Sequence, residues 1–119
     1  MPSLNTTRLA TNQSTLPFAS AQLNLQAVRE EAIGFWVHCA TPTSSICQIK
    51  GAPDTAALAF GANNGMVIHT IIVTGTAAAG QTKVNAQGHA FVVIQALPIM
   101  FIRLANGTGT DVWNVYLVE

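Results

Sequence analysis

Residues 32–40, AIGFWVHCA, decide the fold class of this chain. In extended backbone successive side chains point to opposite faces, so Ile33, Phe35, Val37 and Cys39 share one side and Trp36 and His38 take the other. That is a period of two, the period of a strand rather than a helix. Because both faces carry bulk, the strand is expected to lie centrally in a sheet or beneath a partner.

The same alternation recurs on either side. Ala21, Leu23, Leu25 and Ala27 face away from Gln22, Asn24 and Gln26; Trp113, Val115 and Leu117 face away from Val112, Asn114, Tyr116 and Val118. Ile46 and the stem of Gln48 alternate with Cys47 and Ile49. Residues 66–74, MVIHTIIVT, are β-branched and nearly continuous, which predicts a buried strand. Further strands are predicted near 82–86 and over 89–95 and 99–105. Turn chemistry separates them at 42–45, Asn64-Gly65, 76–80, Gln87-Gly88, Leu97-Pro98 and 106–109. The segment 51–64 reads as a loop with one helical turn around 55–60. About eight strands at spacings of roughly 8 to 12 residues predict an all-β fold, a two-sheet antiparallel β-sandwich of jelly-roll type.

Residues 1–20 differ in character from the sandwich expected over 21–119. They are polar, with Leu4, Leu9, Leu16 and Phe18 as isolated anchors, and read as an extended N-terminal arm. Such an arm buries too little surface alone to offset its ordering entropy, so it is either disordered or docked on a neighbour. Those four residues, with Trp36, are the candidate interface residues.

Only ten of 119 residues carry a formal charge, five of each sign, and net charge is zero. Soluble domains are roughly 25% charged. Here 13 Thr, 8 Asn, 7 Gln and 5 Ser supply uncharged polar cover, and Ala, Gly or a partner's surface must supply the rest. The basic residues Arg8, Arg29, Lys50, Lys83 and Arg103 are scattered, so the basic patch that nucleic-acid binding requires is missing. No apolar run reaches the ~18 residues of a membrane span. The opening MPSLNTTRLATNQSTLPF has no basic region followed by an apolar block and does not read as a secretory signal. Cys39 and Cys47 flank a predicted hairpin; in register their sulfurs could meet, yet in a reducing cytoplasm free thiols are expected.

Catalytic chemistry is not specified. His38, His69 and His89 fall in separate strands without metal-ligand spacing and are expected on sheet faces or strand ends, with no metal and no cofactor. Of the five acids, Glu30 and Glu31 adjoin at a turn, Asp54 follows Pro53 in another and Glu119 is last. Asp111 stands beside the 106–110 loop, where a carboxylate can bond backbone amides. Neither GxSxG, HExxH nor a phosphate loop occurs. The expectation is a protein that is not an enzyme. Phe35, Trp36, Trp113 and Tyr116 are candidates for a sugar-stacking platform, weighed against a place in the core.

Residues 101–119, FIRLANGTGTDVWNVYLVE, give a strand, a Gly/Thr-rich hairpin loop and a final strand. This ending resembles the closing hairpin of small all-β accessory proteins of tailed-bacteriophage virions. Size, richness in Ala, Gly, Thr and Val, the anchored arm and the scarcity of charge extend the likeness. The resemblance implies a head decoration (cement) protein, assembled in the host cytoplasm into the virion. It would bind the major capsid protein, brace the shell, and form a dimer or trimer without catalytic residues. A neutral surface lacking charge repulsion suits such association. The alternative is a carbohydrate-binding module of a tail or cell-surface structure, with its site in the 51–64 and 106–110 loops. A hydrolase or metalloenzyme on the same fold would need a histidine cluster.

Overall fold

The computed structural model describes residues 6–14, 18–20, 23–24, 32–40, 42, 44–53, 65–105 and 111–118. All regular structure among them is strand. In chain order these are β1 (Thr6–Gln13), β2 (Phe18–Ala19), β3 (Leu23–Asn24), β4 (Ala32–Ala40), β5 (Ile46–Ala52), β6 (Met66–Ile72), β7 (Gln81–Lys83), β8 (His89–Gln95), β9 (Ile99–Ala105) and β10 (Val112–Val118). They form two open sheets. The first has the order β1-β10-β4-β8 and is antiparallel throughout. The second runs β2-β9-β5-β6-β7, with β3 following β2 along the same edge of β9; its β6–β7 pair is parallel.

The period-two pattern of the sequence places the core between the sheets. Ile33, Phe35, Val37 and Cys39 from β4 and Trp113, Val115 and Leu117 from β10 are at most 2% exposed. They meet Cys47 and Ile49 from β5, Ile71 from β6 and Met100, Ile102 and Leu104 from β9 in one cluster. Each large side chain so buried contributes about 1.5–3 kcal/mol. As its two bulky faces predict, β4 is central, between β10 and β8.

Three features depart from the sequence reading. The connections β4 to β5, β8 to β9 and β9 to β10 each cross from one sheet to the other. Residues 101–119 are therefore not a hairpin: β9 pairs with β5, β2 and β3, and β10 pairs with β1 and β4. Both strands carry a dry side, and an arch sets those sides against each other across the core, whereas a hairpin would line them up on one sheet. Cys39 and Cys47 likewise sit on opposing sheets, buried and free.

The run 66–74 is not buried throughout, since Met66 is 65% and Val67 43% exposed. Among the described residues, only the three-residue β7 stands beyond β6, and it is too short to flank the first half of β6. Finally, the described part of residues 1–20 is built into the sheets. β1 lies along β10 with Ala10 in the core, and Leu9 and Phe18 pack half-buried against that core. The backbone amide of Asn12 donates to Asn114 Oδ1 at 3.0 Å, and Asn114 Nδ2 donates back to Asn12 Oδ1 at 3.3 Å. Leu4, Leu16, Glu30, Glu31, Asp54, Glu119 and the helical turn expected at 55–60 lie outside the described residues, as do most of the strand expected over 21–28 and the 106–110 loop.

Candidate functional site

With the odd-numbered residues of β4 and β10 turned inward, their neighbours form the outer face of the four-stranded sheet. Strand register lines these up across the sheet. Arg8, Tyr116, Trp36 and Phe91 make one row over all four strands; Thr6, Val118, Gly34 and Val93 make the next; Asn114, His38 and His89 lie on the other side.

Ring contacts run from the centre of this row into the neighbouring row of histidines. Trp36 meets Tyr116 edge-on, with centroids 5.4 Å apart and planes at 69°. It also meets His89 at 5.0 Å, and His89 stacks on His38 at 4.4 Å. The Arg8 guanidinium lies 5.0 Å from the centre of the Tyr116 ring, a cation–π arrangement. Backbone bonding explains the closeness of the histidines. The amide of His89 donates to Asn85 Oδ1 and its carbonyl accepts from the Asn85 amide, so neither group points toward β4. Positions 38 and 89 are thus a non-hydrogen-bonded pair, in which Cα atoms approach to about 4.5 Å and side chains are pressed together. The buried Nδ1 of His89 finds no hydrogen-bond partner among the described residues.

Gly34 makes room for Phe91. A Cβ at position 34 would stand 2.5 and 2.7 Å from two atoms of that ring, so the ring lies over bare backbone. Phe91 is 54% and Val93 61% exposed. A shallow hollow of about 430 Å³ beside the Trp36 and Tyr116 ring pair is lined by these two and by Thr6 and Val118. Among the described residues the face holds one fixed cation, Arg8, and no carboxylate. Such a surface can bury apolar groups and stack on planar or ring-shaped ones.

The other candidate residues are distributed elsewhere. Of the four aromatics considered for a sugar platform, Phe35 and Trp113 are core residues, while Trp36 and Tyr116 stand side by side on the outer face. His69 is on the other sheet, where its Nε2 shares a 2.7 Å hydrogen bond with the Thr82 hydroxyl and burial lowers its pKa. Among the described residues no three His, Cys, Asp or Glu side chains converge.

Asp111 is fully buried. Its Oδ2 accepts from the Ser45 amide at 2.8 Å, the Ser44 amide at 3.2 Å and the Ser45 hydroxyl. Trp113 Nε1 donates to Ser45 Oγ at 2.8 Å. This network clamps the β4–β5 arch to the start of β10. Burial, reinforced by the charge of Asp111 and opposed by Ser45 and the Val112 backbone, pushes the nearby Cys39 thiol up to about 12. Burial also raises the pKa of Cys47. Both stay protonated at neutral pH and lack the thiolate that nucleophilic chemistry needs.

Arg8, Phe91 and Val93 escaped the sequence reading as site residues. The signal for the latter two is apolar bulk on the outward parity of β8, opposite Ala90 and Val92, where an ordinary solvated face would be polar. Comparison with protein-family models, with curated proteins and with solved structures gives no match.

Proposed function

We propose that the sandwich is a jelly roll and that it works as a non-catalytic structural protein, docking through the outer face of the four-stranded sheet onto a larger assembly. The strand order supports the first part: β1-β10-β4-β8 opposite β2-β9-β5-β6 is the alternating order obtained when a chain winds back and forth between two sheets, with β7 added at one edge. Jelly rolls occur in viral capsid and lectin domains alike, so topology does not choose between partners.

The observation that carries the functional reading is the row Arg8, Tyr116, Trp36 and Phe91, flanked by Val93 and Val118. It is an almost uncharged aromatic surface spanning four strands, with two large apolar residues more than half exposed. Contiguous exposed apolar patches mark interaction sites, and Trp, Tyr and Arg are the residues that dominate interface energetics. The virion reading assigns this face to the major capsid protein of a phage shell. A second reading, saccharide binding, is favoured by the hollow beside Trp36 and Tyr116, whose aromatic lining offers ring faces on which a pyranose stacks.

One experiment separates them. Capsids assembled from the shell protein encoded in the same genome are pelleted with this protein, and the protein is also applied to a glycan array. Saturable copelleting, weakened roughly tenfold or more by Tyr116→Ala, supports the decoration reading. A glycan hit lost in the same variant, without copelleting, replaces it with the saccharide reading. Failure of both overturns the assignment of this face.

A further inference from the structure

We infer that β8 is a self-association edge, along which a second copy of this chain adds its own β8 antiparallel about a two-fold axis at Val93. The argument begins with the sheet edges. An edge strand presents unpaired amides and carbonyls, and proteins blunt that hazard with charge, bulges, proline or brevity. Among the described strands, three of the four sheet edges are blunted. β1 carries Arg8, has two irregularities in its pairing with β10, and holds Asn12 at a positive φ of 46°. β7 is three residues long and ends in Lys83; β2 and β3 are two residues each.

The fourth edge has no such device. β8, HAFVVIQ, is seven residues long without proline, glycine or formal charge, and its register with β4 runs unbroken from Ala32–Gln95 to His38–His89. Because both backbone groups of His89 turn away from β4 to Asn85, the period of two turns those of Phe91, Val93 and Gln95 outward as well. Among the described residues nothing pairs with them. Asn85 closes the edge at His89, so the free stretch begins at Phe91.

A second copy fits this edge by symmetry. In an antiparallel pair, hydrogen-bonded partners exchange both bonds. A two-fold at Val93 makes Val93 its own partner and sets Phe91 opposite the second copy's Gln95. All outward backbone groups from 91 to 95 are then satisfied with no like charges opposed. The shallow hollow of about 490 Å³ lined by Ala32, Val93, Ile94 and Gln95 lies along the same edge. Joining the two sheets also makes the aromatic faces of both copies continuous. The inference concerns the backbone of β8 and stands whether the face binds a shell or a sugar.

The test uses the full chain alone. Native mass is measured by sedimentation over a range of concentration, and amide exchange of β8 is followed by NMR. The expected result is a dimer in which the amides of Phe91, Val93 and Gln95 gain protection with concentration, while those of Val92 and Ile94, bonded to β4, are protected throughout. Val93→Pro removes an amide that β4 does not use and is expected to give a monomer with an unchanged strand signature in circular dichroism. Val93→Lys keeps the amide but opposes two ammonium groups at the axis; its dimer is expected to weaken at low salt and recover at high salt. A monomer at every concentration overturns the inference, as does a dimer that survives both variants. Protection of Phe91 and Val93 in a monomer also overturns it, in favour of cover by another part of the same chain.

Discussion

Burial at the β6–β7 pair lowers the pKa of His69, whose ring reaches the Thr82 hydroxyl. In the unfolded chain the imidazole takes a proton near pH 6.5; in the folded chain it does so at a lower pH. Between those two values the unfolded state binds the extra proton, so stability declines as pH drops through that window and is fully present above it. The melting temperature is expected to fall between about pH 7 and pH 5, and less steeply in His69→Gln, which keeps a hydrogen-bonding side chain but cannot titrate. Equal slopes in the two proteins would show that His69 is no part of the acid response. At this scale much was legible. The parity of AIGFWVHCA separates Trp36 from Phe35, and that of residues 112–118 separates Tyr116 from Trp113, before any coordinates are known. Asp111 was recognisable as a carboxylate serving backbone amides, but the amides belong to Ser44 and Ser45, far away in sequence. Local patterning cannot reveal a partner brought in by another strand.

The element that ties site to fold is β8, and two glycines position it by different means. Gly88 opens the strand at a φ of 85°, and a Cβ there would run into the carbonyl oxygen of Cys39, a backbone atom held by the central strand. Gly88→Ala is therefore expected to cost about 2–4 kcal/mol, combining left-handed strain with a contact that cannot relax. Gly34→Ala meets closely the far end of the half-exposed Phe91 ring, while the Val118 carbonyl oxygen lies at an ordinary contact distance of 3.6 Å. Its cost is expected to stay under about 1 kcal/mol, and its main effect is to lift Phe91 from the face. Denaturant midpoints of the two variants check the difference; similar losses would mean that Phe91 is held as firmly as backbone. Elements were readable where punctuation is strong: 32–40, 89–95 and 99–105 emerge with the bounds the sequence suggests. Their partners were not. A loop such as 106–110, between two strands that each carry a dry side, has the same composition whether it turns within a sheet or arches between sheets, because those dry sides are satisfied either way. The stacking of His38 on His89 depends on that pairing, which is why single-strand patterns showed two isolated histidines.

For the whole molecule, the balance of five cations against five anions decides what kind of association is available. Long-range attraction needs a net field or a patch, and the described part of the sandwich presents neither on its outer face apart from Arg8. Docking there must draw on apolar burial and ring contacts, which salt does not screen. Nucleic-acid or polyanion binding behaves oppositely, losing orders of magnitude as salt rises because it is driven by counterion release. On the proposed decoration reading, copelleting with capsids is accordingly expected to change less than about threefold between roughly 0.05 and 0.5 M NaCl, with Arg8, the one cation on this face among the described residues, accounting for whatever weakening occurs. A loss of tenfold or more over that range would assign the binding energy to charges, and the scattered basic residues away from the aromatic row, Lys83 and Arg103 among them, would then be the ones to substitute.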